Sequence, residues 1–261
     1  MNKIYLASFA DTRMSPTLKR LGKEAKDSCF FNGIFLYDES LFLENFKQQF
    51  ADKLILGSRG YGYWVWKPYV ILETLRKLPN NSILLYVDAG CHINNKGHEL
   101  LKLFVKRVAN SESGLLISEL SKTCLERYYS KGDLLDYFNV RNNKNIVDTP
   151  QRQAGVIFIR KEAKNMELIR SWLDLFSFNF HLIDDTPSMS FNLDGFIENR
   201  HDQSAFSILT KLRGAELFPA ELLSKDIQHP IWALRDKKMK LKYQYSFKRF
   251  LKKMAQKICR Q

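Results

Sequence analysis

Two rhythms of apolar and polar positions run along this chain. Short apolar, β-rich runs recur at residues 3–9 (KIYLASF), 33–37 (GIFLY), 53–56 (KLIL), 82–87 (SILLYV), 114–118 (GLLIS) and 154–159 (AGVIFI). With Gly, Asn or Asp punctuation nearby, such runs read as strands. The run 82–87 is continuously apolar, as a central strand buried on both faces requires. Between the runs, residues 15–28, 39–50, 67–78, 97–109, 161–178 and 200–213 read as helices, and 122–138 as helical in part. Ser15-Pro16 supplies a start signal, and Gly214 a stop. Strands alternating with helices predict an α/β domain with a mostly parallel sheet flanked by helices, binding ligands beyond the C-terminal strand ends.

Composition narrows the class. With 45% hydrophobic residues in 261, the chain can bury a proper core and is not wholly disordered. No apolar run approaches the roughly 20 residues that span a bilayer. The start, MNKIYLASFADTR, lacks the apolar stretch of a secretory signal. The four cysteines are scattered without metal-ligand spacing, which points to a reducing, cytoplasmic setting.

The formal net charge is +13, and its placement changes its meaning. From Arg235 to Gln261 stand 11 Lys or Arg against one acid, Asp236, while residues 1–234 hold 30 basic and 27 acidic side chains. A near-neutral body (1–234) therefore carries a basic tail (235–261). In the tail, Phe247, Phe250, Leu251, Met254 and Ile258 fall on one helical face beside Lys248, Lys252, Lys253 and Lys257. A basic amphipathic helix of this kind fits an anionic membrane surface. The alternatives are a helix packed on the body with solvated lysines, and a nucleic-acid contact. Nucleic-acid binding would call for basic residues spread along a groove with interleaved aromatics, and the neutral body lacks that spread.

Four segments of the body could carry chemistry. YVDAGCHIN (86–94) puts Asp88 at the tip of the central strand, followed by Ala89 and Gly90, where a ligand can approach the backbone. A carboxylate there can hold a divalent cation on diphosphate oxygens, or simply cap the turn. SRGYGYWVWKPY (58–69) packs two glycines among five aromatic residues. Trp64 and Trp66 read as structural, while Arg59 and Lys67 are candidate phosphate contacts. TPQRQAGVIFIRK (149–161) offers Arg152 before a strand that opens on small residues. ENRHDQSAFSIL (198–209) gathers His201, Asp202 and Gln203 at a helix start, more polar groups than one cap needs. His201 is a candidate metal ligand; Asp202 and Gln203 are candidates for work at a reacting carbon or a sugar hydroxyl.

In their order, GYGYWVWKP, LLYVDAGC, RQAGVIFIRK and NRHDQSAFSIL resemble motifs of the small glycosyltransferases of bacterial capsule, O-antigen and lipooligosaccharide clusters, over about residues 1–220. The resemblance implies a GT-A-type, Rossmann-like domain. It implies transfer of a hexose from a nucleotide-diphosphate sugar, UDP-sugar favoured, to a saccharide or lipid-linked saccharide acceptor. Arg59, Lys67, Asp88, Ala89, Gly90 and Arg152 would bind the donor, and Asp202 and Gln203 would be catalytic. Mn2+ or Mg2+ would sit on Asp88, with His201 as a further ligand. Asp88 matches the first carboxylate of the Asp-x-Asp motif of many GT-A enzymes. Gly90 stands where the second would be, so the diphosphate charge would fall to His92 or His201 with a metal, or to Arg59, Lys67 or Arg152 without one. Under this resemblance the tail would bring a cytoplasmic enzyme to the inner face of the bacterial inner membrane, where lipid-linked oligosaccharides lie. The competing classes are a nucleic-acid-binding protein and a non-catalytic peripheral membrane protein.

Overall fold

The apolar runs become strands of one mixed sheet. A computed structural model describes residues 2–224 and 227–237. The apolar stripe Phe247–Ile258 lies outside the described residues. The strands are β1 (Ile4–Phe9), β2 (Gly33–Tyr37), β3 (Ile83–Val87), β4 (His92–Ile93), β5 (Leu115–Glu119), β6 (Arg152–Arg160), β7 (Glu216–Pro219) and β8 (Ile231–Trp232). Six of them form the main sheet in the order β2-β1-β3-β6-β5-β7, and β4 pairs with β8. β1 runs parallel to β2 and β3, and β5 parallel to β7, while β6 is antiparallel to both β3 and β5. Five strands therefore share one direction and β6 alone opposes them. The mostly parallel, helix-flanked α/β architecture expected from the pattern is the one observed.

β3 explains why its sequence is apolar without interruption. Leu84 and Tyr86 face one core with helices Trp66–Lys77, Ala163–Phe178 and Asp202–Arg213. Ile83, Leu85 and Val87 face a second core with helices Ser15–Ser28 and His98–Asn110. All five residues of β3 are buried, because helices cover both faces. The first core is the larger and includes Trp172 and Phe206, whose rings lie 4.6 Å apart. Burying side chains of this size stabilises the fold by about 1.5–3 kcal/mol each.

One expected strand is absent. Residues 53–56 form turns: the amide nitrogens of Lys53 and Leu54 both bond back to Phe50 O, and Ile55 N to Lys53 O. Ile55 and Leu56 stay more than half exposed, so their apolar character reports no sheet face. β7 and the β4–β8 pair were not anticipated.

The next segment is unusual. Gly60, Tyr61, Gly62, Tyr63 and Trp64 all have positive φ, and Tyr63 N bonds to Arg59 O (2.7 Å) while Trp64 N bonds to Gly60 O (3.2 Å). These are i to i−4 bonds in left-handed residues, a single left-handed helical turn. Three of its residues carry side chains, which costs about 3–6 kcal/mol at 1–2 per residue. Gly60 is needed twice over, since a Cβ there would also meet the Trp64 ring at 2.5 Å. Packing holds the turn in place. Tyr61 stacks near Phe9 and Phe42, and Trp66 Nε1 donates to Gly60 O at 3.0 Å.

Candidate active site

One edge of the sheet collects the C-terminal ends of five strands and the N-terminal end of β6. Asp88 follows β3 on this edge, Glu119 closes β5, and Arg152 opens β6 opposite Glu119. β2 and β3 lie on either side of β1, so the strand order reverses at β1, and sheets of this kind bind ligands beyond the strand ends at such a reversal.

Lys67 organises this edge. It stands in the first turn of helix Trp66–Lys77, directly after the left-handed turn. Its side chain is only 3% exposed, and its Nζ lies 3.3 Å from Asp88 Oδ1 and 2.6 Å from Asp202 Oδ2. The Asp202 contact is a close, buried ion pair. Tyr86 OH donates to Asp88 Oδ1 at 2.9 Å, and Asp88 N donates to Gly155 O. A Cβ on Gly155 would lie 3.0 Å from Asp88 Oδ2, so the small residues opening β6 make room for Asp88.

The electrostatics follow from burial. Burial opposes the Lys67 charge, but Asp202 and Asp88 outweigh it and raise its pKa above the usual lysine value. For Asp202, burial and the nearby Asp88 exceed the pull of Lys67, and its carboxyl is pushed up to about 6. One ammonium between two carboxylates leaves an excess negative charge, with Asp88 at 40% side-chain exposure as its open end.

Gln203, next to Asp202, is held by a buried relay. Its Nε2 donates to Gln151 Oε1 at 2.7 Å, and Gln151 Nε2 donates to Glu126 Oε1 at 3.0 Å. Glu126 and Gln151 are fully buried, and Glu126 also takes bonds from Ser130 and Ser207 and pairs with Lys211 at 2.8 Å. A carboxylate in this network only accepts, so it sets the direction of both amides. Gln203 therefore turns its NH2 toward Gln151 and its carbonyl oxygen away from it.

The remaining expected site residues fall in three places. Ala89 and Gly90 form the turn after β3. Arg20 Nη2 donates to Ala89 O and Cys91 O, while Asp236 N donates to Gly90 O. A Cβ at Gly90 would come within 3.2 Å of Arg235 Cα, so the chain at 235–236 fills the room a second Asp-x-Asp carboxylate would need. Arg152 shares the site's edge. Its Nε and Nη1 are buried without hydrogen-bond partners, and burial lowers its pKa despite Glu119 and Glu126. Such a guanidinium fits an incoming anion. Arg59 and His201 form a separate group. Arg59 Nη1 donates to Asp185 at 2.9 Å, and His201 Nε2 lies 3.7 Å from Asp185 Oδ1.

The metal expectation meets a poor set of donors. Asp88 and His201 are not brought together: Asp88 faces Lys67, and His201 faces Asp185. Among the described residues no three His, Cys, Asp or Glu side chains converge as a metal site. The two carboxylates that do converge, Asp88 and Asp202, already hold the Lys67 ammonium between them. The residues present do not fit a divalent cation at this point.

Several contacts were not read from sequence: the Gln151–Glu126 relay, Asp185, and the cluster tying Arg20 to Glu24, His92 and Asp236. Arg20 Nη1 pairs with Glu24 at 2.9 Å, and His92 Nε2 lies 3.3 Å from Asp236. Apart from Arg20 and Glu24, an i,i+4 pair on one helix, these partners stand far apart in the chain, and no local spacing announces them.

No family model matches the sequence, and no curated protein sequence matches it. Among solved structures it is similar to a glycosyltransferase involved in glycosylation of the major capsid of PBCV-1. The identity is 11%, with 88% of this chain and 91% of that chain covered and a TM-score of 0.48. It is also similar to mouse xyloside xylosyltransferase 1, at 11% identity over 83% of this chain and 84% of that one, with a TM-score of 0.43. A third likeness is to the galactosyltransferase LgtC solved with donor and acceptor sugar analogues, at 14% identity over 82% and 72% of the chains and a TM-score of 0.43. At such identities and scores, these likenesses settle nothing about what this chain binds or transfers. No helix of the described residues is long and apolar enough to cross a membrane.

Proposed function

We propose that this protein is a GT-A-type glycosyltransferase. It moves a hexose from a nucleotide-diphosphate sugar, UDP-sugar favoured, to a saccharide acceptor, lipid-linked in bacterial surface-polysaccharide assembly. The observation that carries this reading is the Asp88–Lys67–Asp202 centre, an ion-paired cluster at the ligand-binding edge of a mostly parallel sheet, with Gln203 fixed beside it. The four sequence motifs meet at this edge or beside it.

The chemistry follows from these groups. In the transfer, the bond between the anomeric carbon and the diphosphate oxygen breaks, and a bond to the acceptor oxygen forms. The nucleoside diphosphate leaves with added negative charge. Arg152, whose Nε and Nη1 make no hydrogen bond, is a cation of the described site that can meet it. Asp202 is the candidate base for the acceptor proton, since a carboxyl at about 6 is ionised at neutral pH yet basic enough to take it. Gln203 presents a carbonyl oxygen that can face positive charge developing on the sugar ring.

The basic tail 235–261 gives the enzyme a reason to gather at an anionic membrane surface, on the cytoplasmic side where lipid-linked acceptors are built. The test is release of nucleoside diphosphate from a panel of nucleotide sugars in the presence of saccharide acceptors. Asp88→Ala should abolish it, and near wild-type release by that variant would remove Asp88 from the donor site.

A further inference from the structure

Residues 184–200 lead into Asp202 and form neither helix nor strand. A loop of this length must still find partners for its backbone. Side chains of the segment after Tyr129 supply them. Asp133 accepts the amide protons of Met189 and Ser190, both at 2.8 Å, and its own amide donates to Ser188 Oγ at 2.9 Å. Gly132 N donates to Asn192 Oδ1 at 2.7 Å, and Arg141 Nη1 to Phe191 O at 2.6 Å. Gly132 is needed for this fit, since a Cβ there would collide with Phe191 O.

The backbone held in this way displays apolar side chains. Met189 is 85% exposed and Phe191 93%. Ser190 between them turns inward, its Oγ donating to Asp133 and accepting from Arg141. The two large side chains therefore project as a pair of tips. Beside them lies an open hollow of about 430 Å3, with Tyr137, Leu182 and Met189 in its lining. Tyr137 is exposed, and so is Phe178, next in the chain to the lining residue Asn179. Single apolar side chains on a surface need no explanation, but four large ones grouped about one hollow mark a contact surface.

The acids nearby are neutralised within the fold. Asp136 pairs with Arg141, Asp184 with Lys131, Asp185 with Arg59 and Glu198 with Arg200. Most of the negative charge that would repel an anionic surface is thus answered locally. Two observations favour lipid over a folded partner. Tips on a fixed backbone suit a medium that yields around them, whereas a protein would have to offer a matching recess. The basic segment 238–261 also starts from the same edge of the sheet. Asp236 N donates to Gly90 O, two residues after Asp88, and the loop ends at Asp202, which shares Lys67 with Asp88.

Resting on the membrane reading of the tail, we propose that Met189 and Phe191 form a second membrane contact, inserted into the interfacial layer of an anionic bilayer. Stable attachment of a peripheral protein takes two signals. The tail supplies the electrostatic one. The loop supplies the apolar one and turns the edge that carries Asp88 and Asp202 toward the lipid surface.

The test is flotation of the full chain with vesicles of phosphatidylcholine and phosphatidylglycerol. Met189→Ser combined with Phe191→Ser should weaken vesicle binding about tenfold or more, with the melting temperature unchanged because both side chains are exposed. In a separate Phe191→Trp chain, the added emission should be quenched by lipids brominated on their acyl chains. No vesicle binding by the wild-type chain, equal binding by wild type and the double variant, or no such quenching would overturn the proposal. Self-association of the wild type that the double variant abolishes, with vesicle binding unchanged, would assign the surface to a contact between copies instead. A full chain with Lys248, Lys252, Lys253 and Lys257 each changed to Gln separates the two readings. If that chain is released while the double variant binds as wild type does, the loop contact falls and the tail reading stands. If it binds as wild type does while the double variant is released, the tail reading falls and the loop contact stands.

Discussion

Lys67 Nζ lies 2.6 Å from Asp202 Oδ2, and the two side chains are only 3% and 7% exposed. Neither charge could be buried here without the other, and removing one partner of such a pair is costly. Lys67→Met should therefore lower stability by about 3–5 kcal/mol in urea unfolding, as two carboxylates are left facing each other. Adding Asp202→Asn should restore part of that loss, so the double variant departs from additivity by more than about 0.5 kcal/mol.

The raised Asp202 pKa has a definite sign. Below about 6 its carboxyl holds a proton and cannot accept another. Above that value it is ionised and can serve as a base. Turnover should rise with pH through about 6 and then level. Asp202→Asn should remove the rise and cost about 10²–10⁴-fold, the range of general base catalysis. A pH–rate profile of both proteins checks this.

Gln151 touches Gln203 but sits in the interior. If its role is to point the Gln203 amide, Gln151→Leu should lower kcat by about tenfold while leaving the donor KM nearly unchanged, since positioning acts on the transition state. A purely structural role would lower the melting temperature without that split. Steady-state kinetics and a melting curve on the same samples decide between them.

Much of this was legible in the sequence, because local pattern and residue type carry it. The five long strand runs and the helices at 15–28 and 200–213 follow from periodicity and punctuation, the second beginning at Asp202 in the structure. Lys67, Asp88, Arg152, Asp202 and Gln203 stand out as polar groups beside glycines, aromatics or strand ends. What stayed hidden depends on distant parts of the chain. KLIL at 53–56 has strand composition, and only its local turn hydrogen bonds and its exposure show it to be a turn. β7, ELFP, is too short and ends in proline. Gly90 could be seen to replace a carboxylate, but not that Arg235 packs over it. Asp184-Asp185 reads as an ordinary acidic loop until His201 is placed against it.

The root of the basic tail belongs to the body. Asp236 pairs with His92 at 3.3 Å and its amide donates to Gly90 O. Two truncations should therefore differ. A chain ending at Lys237 should keep the melting temperature of the full protein yet lose binding to anionic vesicles, whereas one ending at Leu234 should also melt lower. Equal vesicle binding by the full chain and the Lys237 truncation, in a flotation assay, would remove the membrane role from residues 238–261.

The central claim is a nucleotide-diphosphate-sugar site built on Asp88, Lys67 and Asp202. Its most direct measurement is a thermal-shift screen of nucleotide sugars on the full chain, with and without Mn2+. Ligand binding to the folded state raises the melting temperature by mass action. The expected result is a shift with at least one nucleoside-diphosphate sugar, undiminished without Mn2+ and absent in Asp88→Ala. No shift with any nucleotide sugar, or the same shift in Asp88→Ala, would contradict it.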